Sequence, residues 1–599
     1  MVRGLATSNA PTTQKEKETK TTPSSPETQN PNLELIEKLI SILNEEKKSQ
    51  IYQSTENQSS LGKILNISEN VATIKYARSA QFDVGEDVRC IKGETVVDGQ
   101  ISDATHNFLW VSFKENHNLS ENDEIKIIKI ESAASYDLQL DLLENIKKGK
   151  IPHTKPPVEF FVSTKKLDAL PDDAYRNKLS DCKDVADDKN LDDYQTKAVE
   201  NAISLKEGEF LLIIGPPGTG KTKVIRKIAY ELMNRGNRVL ITSHTNLAVD
   251  NALQGLPVSD TLRIGKPHKV NTLSRDYLLS SRAENSEGKL FKEINRELEQ
   301  KIKRRRELQN NSQNKTQQSR IELADLNKQI KELEAKRNSI VKDKRRELLE
   351  KTPIIGSTII ASCLSPMAEV KFDTVIIDEC SQASIPLALL AMLKGKKWIL
   401  VGDHKQLLPI FKSLPNEEQR KLLEDLSAFN HLIKKYNQRS TWLKFAYRSN
   451  PEIVEFPAKY VYEEKIEPYN KDECAKIKLR LKKQLSAADK MSTIIDPDKP
   501  VVFVHVDGKE EEVGSKLNET EVEVCSEIVK MLREHGIERK QIGIIAPYQK
   551  QVKRLKSKIN DGAEVSTVDS FQGKEKDIII FSVTATNKYS LEFVSNVNR

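Results

Sequence analysis

Cysteine is scarce in this chain, and the few present are scattered. Six cysteines occur in 599 residues, with no C-x-x-C pair and no matching histidine spacing. That pattern excludes a disulfide framework or a zinc cluster and points to a reducing compartment. Aromatic residues are also few, at 6% with three tryptophans. Long apolar runs are missing. The longest, 210–214 and 385–393, fall far short of the roughly 18 residues that a membrane-spanning helix needs. The first thirteen residues lack the apolar core of a signal peptide. These absences leave an intracellular protein, cytoplasmic or nuclear/nucleoid-associated, with no membrane partner.

Charge, by contrast, is plentiful. Charged residues make up 31% of the chain and its net charge is +7. At about 150 residues per domain, the length gives room for about four domains. Residues 1–32 are rich in Thr, Ser, Pro, Lys and Glu and are expected to be a disordered tail. Leu33, Ile36, Ile40 and Leu43 recur at helical spacing and predict a helix within 33–60. Short strand-like runs such as 72–76, 108–113 and 125–130, separated by turns at 84–87 and Asp98-Gly99, predict a small β-barrel over 61–135. A helix near 137–146 and an extended Pro-rich linker at 152–157 fill 136–190.

From Leu191 strands and helices alternate, which predicts an α/β fold with a parallel sheet. Its clearest strands are 210–214, 238–242, 374–377 and 398–401. Helical-spacing stripes at 289–350 interrupt this unit and predict an antiparallel helical hairpin, turning at the polar stretch 310–314. The hairpin carries an excess of seven positive charges, equal to the net charge of the whole chain. Two readings stand: a solvated coiled-coil face, or a basic arm that touches nucleic acid phosphates. A second α/β series is expected from near Val501, including 542–546 and 577–582.

The strongest motif is Gly215-Pro216-Pro217-Gly218-Thr219-Gly220-Lys221-Thr222, which follows a buried strand and opens a helix. Glycines at 215, 218 and 220 let backbone N–H groups curl around phosphate oxygens. Lys221 is expected to reach the β- and γ-phosphates and Thr222 to ligate Mg2+. Asp378-Glu379 sits at the tip of a buried strand downstream. Asp378 is suited to hold Mg2+, and Glu379 to orient and deprotonate an attacking water. ATP or GTP hydrolysis follows from these residues alone.

Three further motifs narrow the identity: Leu191-Asp192-Asp193-Tyr194-Gln195, Gly402-Asp403-His404-Lys405-Gln406-Leu407, and Phe571-Gln572-Gly573-Lys574-Glu575. In this order they resemble the Upf-like superfamily 1B helicases, the group of senataxin and the immunoglobulin-mu-binding-protein helicase, from about Leu61 to Arg599. The resemblance implies two tandem RecA-like motor domains, with the barrel and the hairpin as insertions. The first motor would occupy 191–288 and 351–440, and the second 441–599.

It further implies that Gln195 selects ATP, Gln406 senses the γ-phosphate, Tyr447 stacks on adenine, Arg448 serves as an arginine finger and Glu575 contacts the ribose. Nucleic acid would be gripped by Ser243, Thr245, Asn246, Thr358 and Thr567, with Pro547 and Tyr548 supporting a base by stacking. For each Ser or Thr a helix cap or strand-end turn is the plainer alternative. Asn518-Glu519-Thr520-Glu521 also matches a family motif, although a capping box involving Thr520 explains it equally well.

The implied activity is an ATP-dependent, 5′-to-3′ helicase or translocase on single-stranded DNA or RNA. The family's next motif lies just past the pattern at 593–599. The second motor is therefore expected to be incomplete, as in a fragment or an interrupted gene product, with an adapted short form as the alternative. An ATP-gated nucleic-acid-binding or remodelling module without productive unwinding is the competing function.

Overall fold

The computed structural model describes residues 33–588 and 591, apart from 58, 69–70, 77–81, 83–86, 94, 105–107, 114–116, 130, 165–166, 170–190, 267–268, 286–288, 311–316, 412–418, 484, 486–491 and 512–514. The expectations for the tail 1–32, the turn at 84–86, the hairpin turn at 311–314 and the pattern at 593–599 lie outside the described residues.

Six antiparallel strands close into a barrel: β1 (Ser59–Ser68), β2 (Val71–Tyr76), β3 (Asp87–Lys92), β4 (Thr95–Ala104), β5 (Phe108–Phe113) and β6 (Glu124–Lys129), in the order β1-β2-β5-β4-β3-β6. Alternation supplies its core: Leu109, Val111 and Phe113 of β5 point inward while their neighbours are only half-buried. Asp98-Gly99, expected as a turn, lies inside β4. Asp98 pairs with Arg89 across the strands, and Gly99 faces Val111 so closely that a Cβ would come within 2.6 Å of it.

The barrel lies in the chain between two helices, Leu33–Asn57 and Glu131–Lys147, that pack on each other. Ile36, Leu39 and Leu43 of the first and Leu143 and Ile146 of the second join the core beneath the main sheet. The expected extended linker at 152–157 is partly helical instead. Lys155 is the N-cap of a helix Pro156–Val162. Proline suits a first helical turn because its missing N–H would be unpaired there. Phe160 then anchors the turn against Phe210 and Trp398.

The main sheet has seven strands, all parallel: β7 (Phe210–Ile214), β8 (Val239–Ser243), β9 (Thr261–Ile264), β10 (Ile354–Thr358), β11 (Thr374–Asp378), β12 (Lys397–Gly402) and β13 (Ser440–Trp442), ordered β13-β7-β12-β11-β8-β10-β9. β7, β8, β9 and β11 are buried along their whole length, as a sheet covered on both faces requires. Phe210, Leu212 and Ile214 face one core, and Leu211 and Ile213 face the other. The expected domain boundary at 440/441 passes through β13. This strand pairs with β7, and Leu443 enters the second of those cores, so the first unit extends past 440.

Helices Lys289–Asn310 and Gln317–Lys351 run antiparallel, with Lys301 on Gln329 and Arg304 on Glu322. A short parallel pair, β14 (Phe445–Ala446) with β15 (Glu467–Pro468), follows the main sheet. A second parallel sheet comprises β16 (Ile542–Ala546), β17 (Glu564–Thr567) and β18 (Ile578–Phe581), with β16 central. The run from Val501 forms no strand. Phe503 is 86% exposed, and the regular elements of this unit begin with the helix Glu519–Glu534. That helix is capped by Asn518, not Thr520: Asn518 accepts a hydrogen bond from the Glu521 N–H. Among the described residues, no helix is long and apolar enough to cross a membrane.

Candidate nucleotide and nucleic-acid site

Strand register gathers the predicted residues along one edge. In β11, β8 and β10, Asp378 stands beside Ser243, and Ser243 beside Thr358. In β7 and β12, Ile214, just before the glycine-rich loop, stands beside Gly402, just before Asp403 and Gln406. All these positions are the carboxyl ends of parallel strands, where open α/β sheets place their ligands.

The loop after β7 is shaped by two left-handed glycines, Gly218 (φ 77°) and Gly220 (φ 84°), the latter capping the helix Lys221–Asn234. A Cβ on Gly218 would sit 2.9 Å from the Cβ of Arg448, so this glycine lets the following segment close on the loop. Lys221 donates from Nζ to the Gly215 carbonyl at 2.7 Å. Thr222 lies in the first turn of the same helix and is half-buried. Gln195 is buried. Its Nε2 donates to the Thr219 carbonyl at 3.0 Å, and it closes a capping box with Asp192.

Asp378 ends β11 and is buried. Burial, with the nearby Glu379 carboxylate, pushes its carboxyl up to about 7, while Lys221 pulls it down. Glu379 holds a left-handed conformation, φ 51° and ψ 41°, and accepts from Gln382 at 3.3 Å. A non-glycine residue there is strained, and such strain concentrates at functional sites.

Tyr447 and Arg448 approach from beyond the main sheet. The Tyr447 N–H donates to the Gly218 carbonyl at 2.9 Å, its hydroxyl to Asp192 at 2.5 Å, and its ring stacks on Tyr469 at 4.6 Å. Arg448 pairs with Glu575, which comes from the loop between the short helix Val568–Phe571 and β18. Glu575, expected at a ribose, therefore stands against the guanidinium. Gln406 donates from Nε2 to Asp403 at 2.9 Å.

Several expected nucleic-acid residues also serve local structure. Thr245, Thr358 and Thr567 cap helices through their hydroxyls, and Ser243 accepts from the Thr245 N–H. Asn246 accepts from Arg263, a fully buried arginine that also pairs with Asp250. Register places Ala546 opposite Thr567, so Pro547 and Tyr548 follow directly beside Thr567. Pro547 is buried, which leaves the half-exposed Tyr548 ring as the stacking candidate of that pair.

Sequence reasoning missed Arg263, Asp403 as a hub, and the tyrosines at 462 and 469. Asp403 lay inside a quoted motif. The others had no local signal.

Two family models, each described as an AAA domain, match residues 190–414 and 424–599. An uncharacterized ATP-dependent helicase of Methanocaldococcus jannaschii is 32% identical over 451 residues, 69% of this chain and 66% of that protein. DNA polymerase alpha-associated DNA helicase A of Saccharomyces cerevisiae is 31% identical over 448 residues, 68% of this chain and 62% of that one. The DNA-binding protein SMUBP-2 of Rattus norvegicus is 26% identical over 514 residues, 82% of this chain and 49% of that one. The chain thus spans 66% or less of the length of these relatives. With a glycine-rich loop, an acidic strand tip and a glutamine-bearing loop on one parallel sheet, and with both family models matched in succession, this chain belongs to the Upf-like superfamily 1 helicases.

Proposed function

We propose that the chain is an ATP-driven helicase or translocase on single-stranded DNA or RNA, moving 5′-to-3′. The observation that carries this reading is the meeting at Gly218: the glycine-rich loop of the first sheet is touched by the backbone of Tyr447 and by Arg448, whose guanidinium is held by Glu575 near the second sheet. A cation arriving from a separate element can couple closure to hydrolysis.

Lys221 would bind the β- and γ-phosphates. Glu379 would take the proton of the attacking water, and Gln406 would sense the γ-phosphate. Gln195 and Tyr447 would hold adenine. Mg2+ would be held by Thr222 and Asp378 with phosphate oxygens, and would neutralise charge developing on the phosphates. The residues fit such an ion: Asp378 and Glu379 are adjacent carboxylates in a buried setting, and the rise at Asp378 reflects a charge that a cation would stabilise.

Ser243, Thr245, Asn246, Thr358 and Thr567 would contact the sugar-phosphate backbone, with Tyr548 stacking on a base. We assign 191–288 and 351–443 to a first motor, the barrel and the helical hairpin to attachments on it, and the region beyond 443 to a second motor.

The test is ATP turnover with and without single strands, followed by unwinding of duplexes bearing 5′ or 3′ tails. Stimulated turnover with unwinding from the 5′ tail is expected. Turnover that single strands do not raise would overturn the motor reading. Stimulated turnover without strand separation would leave the ATP-gated clamp.

A further inference from the structure

Asp403 is completely buried, and three donors converge on its carboxylate. Oδ1 accepts from the Lys405 N–H at 3.0 Å. Oδ2 accepts from Gln406 Nε2 at 2.9 Å and from the Tyr462 hydroxyl at 2.6 Å. The first two donors belong to the loop that holds Asp403. The third comes from 59 residues away, beyond the main sheet.

Tyr462 is 4% exposed and packs with Ala446, Val454 and Ile466. Ala446 ends β14 and directly precedes Tyr447 and Arg448, while β14 pairs with β15, reached soon after Tyr462. One small packed unit therefore holds Arg448 at one corner and touches the Gln406 loop at another. The backbone is bent to deliver the tyrosine: Glu463 and Glu464, neither of them glycine, are both left-handed, at φ 53° and 61°. Such conformations persist only where the surroundings enforce them. Packing alone asks for a ring and not for a hydroxyl. Burial and the Asp403 charge hold the phenol well above its ordinary range, so it stays a donor to the carboxylate.

We propose that Tyr462 is a positioning residue: through Asp403 it orients Gln406 and ties that loop to the segment carrying Arg448, so that phosphate sensing and arginine placement move together. The proposal rests on the ATP-motor reading above.

Tyr462→Phe keeps the packed ring and removes only the bond. We expect nucleic-acid-stimulated kcat to fall about tenfold, the size of one charge-assisted hydrogen bond. KM for ATP should stay within about twofold, because the hydroxyl is buried against Asp403. If Tyr462 acts through Gln406, the Tyr462→Phe/Gln406→Ala pair should be no slower than Gln406→Ala alone. An unchanged kcat in Tyr462→Phe, or losses that multiply in the pair, would overturn the proposal. Should the wild-type chain hydrolyse no ATP, the motor reading fails separately. Amide exchange then decides: Tyr462→Phe should speed exchange at 403–407 and 445–448 together, and a change confined to one segment overturns the link.

Discussion

Arg448 and Glu575 form an ion pair between the segment after the main sheet and the loop before β18. Their side chains are 46% and 59% exposed. A pair so open to water contributes about 0–1 kcal/mol. The guanidinium can therefore leave Glu575 for a phosphate at little cost. Arg448→Ala should lower stimulated ATP turnover by about a thousandfold, as loss of an arginine finger does, while the thermal midpoint barely moves. Steady-state kinetics beside a melting curve checks both halves.

Glu379→Gln should keep nucleotide binding and lose hydrolysis. Glutamine retains the shape and the left-handed turn but cannot take a proton, and a general base contributes about a hundredfold or more. Binding of a fluorescent ATP analogue should match wild type while phosphate release nearly stops. Retained turnover would remove Glu379 from its role.

The Arg263–Asp250 pair presents the opposite case from Arg448. Both side chains are buried, at 0% and 2% exposure, and the bond is 2.6 Å. Arg263→Met strands the Asp250 carboxylate in the core, a loss of about 3–5 kcal/mol. It also removes the partner of Asn246. Denaturant unfolding should show the lost stability, and single-strand affinity should fall with it.

Thiol labelling offers a test of packing. Burial pushes Cys90 and Cys525 up to about 12, and raises Cys380 as well. A thiol at that value is about one part in ten thousand thiolate at pH 8, and the thiolate is the reactive form. Native protein at pH 8 should leave these three unlabelled by iodoacetamide, while denatured protein labels them fully. Peptide mapping reads the difference.

Much of the first unit was legible without coordinates. The glycine-rich loop and the strands around it stood out because Phe210–Ile214 and Thr374–Asp378 are near-continuous apolar runs, the mark of strands buried on both faces. Short strand-like runs broken by turns disclosed the barrel, and helical stripes disclosed the hairpin. Periodicity is a local property, and these elements are locally encoded.

Val501–Val506 carries the same apolar signal yet forms no strand, because a strand also requires a partner edge. The linker expected at 152–157 ends in a helix instead, because prolines suggest extension whereas Pro156 and Pro157 open a helical turn whose Phe160 packs against Phe210. Ser440–Trp442 joined the first sheet through pairing with β7, which no spacing announces.

The sequence by itself determined the chemical groups and the elements that carry them. Tertiary structure alone decided their partners: Asn246 with Arg263, Tyr462 with Asp403 and Arg448 with Glu575, separated by 17, 59 and 127 residues. Hydrogen bonds and ion pairs across such distances depend on how whole elements pack, and that packing has no local period to read.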